Sequence, residues 1–569
     1  MDPNEEPQEI DHCNEIMAKI GYDGFFQKMF KIIYVCGLTI FSAMLYMNII
    51  LALSIPNHWC HVPGRERTNL TMQEWKQITL PKEENNKGEK TFSLCSMYDL
   101  NYTDIQYWDY ETWNYSDVPV TTCKHGYDYD REWFLSTIVT QEDWVCEKDL
   151  YVTHAFTVGR IGEVVGTFIF GQLGDTIGRK AVFYITAVLS VVGRVVSILS
   201  TSSFILFAIA AIATSLAVNS IFQSPLVIAM EISQEDDRAN IAMVQNLGWS
   251  IGACSMPLIY WYFREWMPFM WISSIPVGLF LLFKRFMVES PRWLISRRRF
   301  KDAIKQFRII ARINRKEFHM TEQELAEMYS SMKEEQIYGM MSLFSGWRIA
   351  RNALIMALNW CVVVVSYFTL LLYCSSMSGN PFLNFLLQTV VEVPSNFIGT
   401  YFSNRIGRRF TSCFSYLVAA VFCLPLIILA KRPNMETVVL SLAMSLKFLN
   451  GITFLSMNLQ AMETYPTCLR QSGLALGAIA GNSIGVVSPF VVYLGSTYDI
   501  RYPFYILLTI YIVGASTVLF LPETLHHKLP DSLKEAQVFG KGQKFWRIPR
   551  PTADHLPEME KMNTKKFAP

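Results

Sequence analysis

The stretch GQLGDTIGRK, Gly171 to Lys180, places an acid and two bases in a short gap between two apolar runs. Each flanking run is about 20 residues long, the length a helix needs to cross roughly 30 Å of hydrocarbon. A weaker copy of the same stretch, YFSNRIGRRF, appears at Tyr401 to Phe410. Twelve such runs are legible, at 30–53, 150–173, 180–200, 203–229, 239–261, 267–287, 348–373, 380–402, 409–430, 436–458, 471–495 and 503–521. In lipid every backbone N–H must be paired within its own segment, so these runs must be helices. A soluble protein with buried helices does not supply so many long uncharged runs.

The composition is 51% apolar and 17% charged, and the net charge of +1 averages two opposite regions. Pro56 to Cys146 holds 15 acids against 8 Lys or Arg, whereas Lys284 to Lys316 holds 12 Lys or Arg against 2 acids. Basic loops stay in the cytoplasm. The first loop is therefore expected outside, with both termini inside and a plasma-membrane location. All three N-x-[ST] sequons, at Asn69, Asn101 and Asn114, lie in that loop, as do Cys60, Cys95, Cys123 and Cys146. Glycosylation and two disulfides fit an oxidising space, with three pairings open. The first apolar run follows an acidic polar leader and is expected to act as an uncleaved anchor.

Three markers recur in order. Gly178-Arg179 is matched by Gly407-Arg408, Glu231…Arg238 by Glu463…Arg470, and ESPRW at Glu289 by PETLH at Glu523, at offsets of 229, 232 and 234. The chain thus reads as a duplicated six-plus-six bundle, the arrangement of two halves that rock around a central site. The expected organisation is a cytoplasmic segment 1–29, an N-terminal bundle 30–287 that includes the outer loop 54–149, a central cytoplasmic loop 288–347, a C-terminal bundle 348–521 and a cytoplasmic tail 522–569 with little fixed structure.

Gly171, Gly174 and Gly178 fit a tight turn where two helices nearly touch. Asp175 suits the positive amino end of the next helix, and Arg179 can reach a carboxylate, with Glu231 the nearest candidate and Arg238 opening the following run. In the second copy Asn404 replaces Asp175, beside Gly407, Arg408, Glu463 and Arg470. Ion pairs of this kind form in one conformation and break in another, which makes them a gate latch. The plainer alternative is a positive turn that only sets topology.

These motifs resemble the major facilitator superfamily, and within it the organic cation, carnitine and organic anion transporter family of the solute carriers. The resemblance runs from Gln27 to about Leu533. It rests on PNHWC, STIVTQEDWVC, GQLGDTIGRK, ESPRWLISRRR, NPFLNFLLQTVVEVP, METYPTCLRQ, SPFVVYLGSTYD and LPETLHHKLPDSL. It implies an all-α membrane protein of twelve helices that moves small organic ions by alternating access and is not an enzyme. The chain has no G-x-x-x-x-G-K-[ST] phosphate loop and no Cys/His cluster with metal spacing, so no cofactor, metal or nucleic acid is expected.

Polar groups inside spans are costly and tend to face a water-filled path. Trp360 and Tyr367 stand seven apart on one face of the seventh helix and match the family's pocket aromatics. Aromatic faces suit ammonium groups at ~0.5–2 kcal/mol each. Gln245, Glu392 and Lys447 match other polar positions of the family, the last two as a structural ion pair or as substrate contacts. Asn482 is neutral where relatives carry Asp or Arg. Arg160 and Glu163 are additions that either pair with each other or face the cavity, and Arg194 is a further unusual charge. The expected cargo is a small amine-bearing cation or zwitterion such as carnitine, β-alanine or an amine conjugate, with Na⁺ or H⁺ as a coupling ion. Organic anions, or ligand sensing without transport, are the alternatives.

Overall fold

On the ninth helix Phe414, Leu417, Val421, Leu424 and Ile428 are exposed and recur every three or four residues. Cys413, Tyr416, Ala420 and Cys423 are buried on the opposite side. An apolar stripe of that length facing outward calls for hydrocarbon rather than water. The computed structural model describes residues 12–68, 70–84, 90–100, 102, 118–234, 237–283, 286–329, 340–373, 377, 379–432, 434–466, 469–525, 530, 533–541 and 543. The three sequons at Asn69, Asn101 and Asn114 lie outside the described residues.

The twelve spans are the first, Phe25–Ala52; the second, Leu150–Ile177; the third, Arg179–Leu199; the fourth, Phe204–Glu231; the fifth, Arg238–Phe263; the sixth, Trp266–Phe283; the seventh, Trp347–Tyr373; the eighth, Pro381–Val390 continued as Glu392–Ile406; the ninth, Arg408–Leu429; the tenth, Glu436–Thr464; the eleventh, Arg470–Gly485 continued as Ser488–Thr497; and the twelfth, Tyr502–Val518. Eight helices of the described residues are long and apolar enough to cross a bilayer by themselves. The second and fifth carry more polar residues, the eighth is jointed at Val391, and the twelfth is short.

The chain separates into two compact units. One comprises 1–49, 158–263 and 267–336; the other comprises 50–157, 264–266 and 337–569. In the first, small residues bring backbones together: an added Cβ on Gly166 of the second span would lie 1.9 Å from the Leu216 carbonyl of the fourth. A short helix at His12–Ile20 buries Cys13, Ile16, Met17 and Ile20 in the same core as Ala303, Ile304, Phe307 and Ile310 of helix Phe300–Ile313. The polar leader is therefore partly folded, because these four apolar residues share one helical face.

In the second unit the seventh, ninth, tenth and twelfth spans share a core that includes Val362, Tyr416, Leu446 and Tyr511. The loop after the first span has its own small core of Trp75, Ile78, Leu80, Met97 and Tyr102. It is closed by the disulfides Cys60–Cys123 and Cys95–Cys146, so the four cysteines pair among themselves in one of the three ways left open. The expected unstructured tail needs correction at its start. A helix at Leu533–Val538 buries Ala536, and the Gln543 amide brackets the backbone of Glu523, accepting from its N–H at 3.0 Å and donating to its carbonyl at 2.9 Å.

Candidate functional site

The two Gly-Arg turns have the same construction. The second span stops at Ile177, Gly178 takes φ +104°, and the third span begins at Arg179. The first backbone N–H groups of that helix have no partner in their own helix. The Arg179 N–H donates to Glu289 Oε1 at 3.1 Å, and the Lys180 N–H donates to Glu289 Oε2 at 3.1 Å. A Cβ on Gly178 would fall 2.4 Å from Glu289 Oε2, so the carboxylate seats only against glycine. Burial raises the Glu289 carboxyl above its ordinary range, against the opposing pull of the Ser290, Lys180 and Arg179 N–H groups. The Arg179 guanidinium meets Glu231 Oε1 at 3.5 Å and lies over the Trp293 ring.

In the second copy Gly407 also has φ +104°, and a Cβ there would fall 2.4 Å from Glu523 Oε2. The N–H groups of Arg408 and Arg409 donate to Glu523 at 2.9 and 3.1 Å. The Arg408 side chain donates to Glu463 Oε1 at 2.9 Å and to the Ser403 carbonyl at 3.2 Å. The Thr524 hydroxyl donates to the other oxygen of Glu463.

The structure thus brings Gly178, Arg179 and Glu231 together, and likewise Gly407, Arg408 and Glu463. Gly171 and Gly174 depart from the tight-turn reading: both lie inside the second span, and a Cβ on either meets nothing within 4 Å. Their glycine character is not demanded by a close approach. Asn404 is exposed. The side chains of Asp175, Arg238 and Arg470 lie outside the described residues. Glu289 and Glu523 were legible only as repeat markers. Their signal was an acid kept at the same offset as the Gly-Arg pair, and a carboxylate is the group a helix amino terminus attracts.

The pocket candidates fall in two clusters. In the second unit, Lys447 Nζ of the tenth span lies 3.0 Å from Glu392 Oε1 of the eighth and 3.2 Å from the centre of the Tyr367 ring of the seventh. Two turns away along the seventh span, Trp360 meets Phe454 of the tenth edge-on at 5.5 Å. The Trp360 indole N–H is buried and finds no acceptor among the described residues. Gly477 lets this ring sit against the eleventh span, since a Cβ there would lie 2.6 Å from it. Asn482, five residues on, is half buried.

In the first unit, Arg160 donates to Glu163 and to the Tyr46 hydroxyl, both at 2.6 Å. The Tyr46 hydroxyl lies within hydrogen-bond reach of Glu163 at 3.1 Å, and the Asn219 amide donates to Glu163 at 2.9 Å. Arg160 and Glu163 therefore pair, but as half of a network joining the first, second and fourth spans. Tyr46 packs on Trp249, and the Gln245 amide donates to the Phe222 carbonyl at 3.4 Å. Arg194 is buried and donates to the Leu45 carbonyl at 3.0 Å. Tyr46 and Asn219 were not singled out from sequence; a tyrosine and an asparagine within spans were the available signal.

The chain matches the family model "Sugar (and other) transporter" over residues 98–532. Curated relatives include the carcinine transporter of Drosophila melanogaster, 27% identical over 94% of this chain and 80% of its own. The β-alanine transporter of the same organism is 28% identical over 92% and 89%. Organic cation/carnitine transporter 2 of Homo sapiens is 26% identical over 95% and 96%. Among solved structures, the proton:xylose symporter of the major facilitator superfamily bound to 6-bromo-6-deoxy-D-glucose superposes with a TM-score of 0.52. It is 17% identical, over 70% of this chain and 93% of that one. The partially occluded inward open xylose transporter from E. coli gives 0.53 at 15% identity, over 88% and 99%. With its duplicated turns, buried ion pairs and twelve spans, the chain belongs to the sugar (and other) transporter family and is a multi-pass membrane transporter of the major facilitator fold.

Proposed function

We propose that the protein carries small amine-bearing organic cations or zwitterions across the plasma membrane by alternating access, with no chemical conversion of its cargo. The observation that carries this reading is the Tyr367–Glu392–Lys447 cluster. An aromatic face and a carboxylate converge there on an ammonium inside a membrane span. Trp360, whose indole N–H finds no acceptor among the described residues, and neutral Asn482 extend the polar surface, and Gln245, Arg160 and Glu163 are the proposed counterparts in the first unit. Carnitine, β-alanine and amine–β-alanine conjugates are the cargo class, in keeping with the names of the relatives.

The two Gly-Arg turns and both termini face the cytoplasm in this reading, the glycosylated loop faces outward, and the Arg179–Glu231 and Arg408–Glu463 pairs act as gate latches. Radiolabel uptake in expressing cells tests it. Saturable uptake of β-alanine or carnitine is expected, and uptake of organic anions alone overturns it. Repeating the assay at two Na⁺ concentrations and two pH values identifies the coupling ion, Na⁺ or H⁺.

Arg194 favours a second reading. It is a buried guanidinium that donates to the neutral Leu45 carbonyl, which leaves positive charge for an organic anion. Under that reading Arg160→Gln and Arg194→Gln each abolish anion uptake at unchanged surface abundance.

A further inference from the structure

We propose that Lys447 is a tethered competitor. Its ammonium fills the cation site formed by the Tyr367 ring and Glu392, and an amine substrate binds there by displacing it. The inference rests on the amine reading of the preceding section and names the event that reading leaves open.

The geometry is that of a bound ligand. An amine cargo would seek a π face on one side and a carboxylate on the other. Lys447 Nζ has both, at 3.2 Å from the ring centre and 3.0 Å from Glu392 Oε1. Its side chain is 1% exposed, whereas that of Glu392 keeps 16%, so the acid retains an open side while the lysine is enclosed. The neighbouring rung differs. Trp360 and Phe454 stand seven residues from Tyr367 and Lys447 on the same two helices, and there two aromatic rings meet edge-on. Of the two rungs, the one at Tyr367 already holds a cation.

A lysine is suited to leave. Its charge is a compact point on a flexible four-carbon stem, unlike the planar fork of arginine. A charged group inside a span is costly unless paired, so Lys447 holds the site until another cation replaces it. The exchange keeps one positive charge beside Glu392 throughout. A neutral molecule of the same shape would leave either the lysine or the acid unpaired and is rejected on that ground. Once displaced, Lys447 is free to meet the carboxylate of a zwitterion.

The test is equilibrium binding of tetraethylammonium, a cation with no carboxylate, and of carnitine to the purified full-length protein. Lys447→Met keeps an unbranched side chain one atom shorter and removes the competitor, so tetraethylammonium should bind about tenfold more tightly than to wild type. The gain should vanish in the Tyr367→Leu/Lys447→Met double variant. Because Lys447→Met leaves Glu392 without its partner and could fail to fold, the comparison is repeated on a Glu392→Gln background. There Lys447→Met should still tighten binding severalfold. Unchanged or weaker tetraethylammonium binding in both backgrounds overturns the proposal while the amine reading stands. Failure of wild type and variants alike to bind either probe overturns both.

Discussion

The two Gly-Arg turns are built from the same parts and held with different strength. In each, a glycine at φ +104° admits a buried carboxylate that accepts from the first two N–H groups of the next helix. In the first copy the arginine reaches its acid at 3.5 Å and rests over a tryptophan ring. In the second the distance is 2.9 Å, a backbone carbonyl shares the guanidinium, and Thr524 holds the far oxygen of the acid. Duplication preserved the carboxylate at the helix end, which the fold needs in both halves. It left the ion pair beside it free to diverge. The first turn carries the longer ion pair, 3.5 Å against 2.9 Å in the second.

The comparison breaks most visibly at the glycines. Gly178→Ala or Gly407→Ala puts a Cβ 2.4 Å from a carboxylate oxygen at a backbone angle that suits only glycine. Each should cost about 3 kcal/mol or more and remove folded protein from the membrane, as read by size-exclusion chromatography of a fluorescent fusion. If one copy tolerates alanine, the two turns are not equivalent at their base.

A smaller effect separates the ion pairs. Arg408→Gln should lower thermal stability by about 2–3 kcal/mol, since it unties Glu463 and a carbonyl in a largely buried place. Arg179→Gln should cost about 1 kcal/mol and leave the purified protein folded. The reverse order in melting temperature would show the first turn to be the tighter one. Smaller still, Thr524→Val should cost about 1 kcal/mol through the lost hydrogen bond to Glu463 and bring the second turn closer to the first.

The least effect is a pH signature at the first copy. Because burial raises the Glu289 carboxyl, the folded protein takes up that proton at higher pH than the unfolded chain. Stability relative to Glu289→Gln should therefore be greatest at the acidic end and shrink as pH rises through that titration. A melting-temperature difference that widens with rising pH would contradict the assignment.

The spans were legible because crossing a bilayer imposes length and apolarity on contiguous residues, and the duplication because charged turns recurred at a fixed offset. Trp360 and Tyr367 could be placed on one helical face by their spacing of seven. The company they keep could not. Nothing local tells that Lys447 ends above Tyr367 or that Tyr46 and Asn219 share Glu163 with Arg160, since these contacts join residues 80, 117 and 56 apart. Gly171 and Gly174 show the opposite error: a local pattern read as a turn proved to be helix, with the turn confined to Gly178.

Sequence alone determined that this protein is a duplicated bundle of membrane helices, because hydrocarbon leaves the backbone no other way to pair its polar groups. It also determined which cysteines are joined as a set. Tertiary structure alone decided the disulfide partners, the carboxylates that close the two helix ends and the lysine that lies over the Tyr367 ring. Each of these depends on which helix faces meet, and that choice is made by packing between segments far apart in the chain.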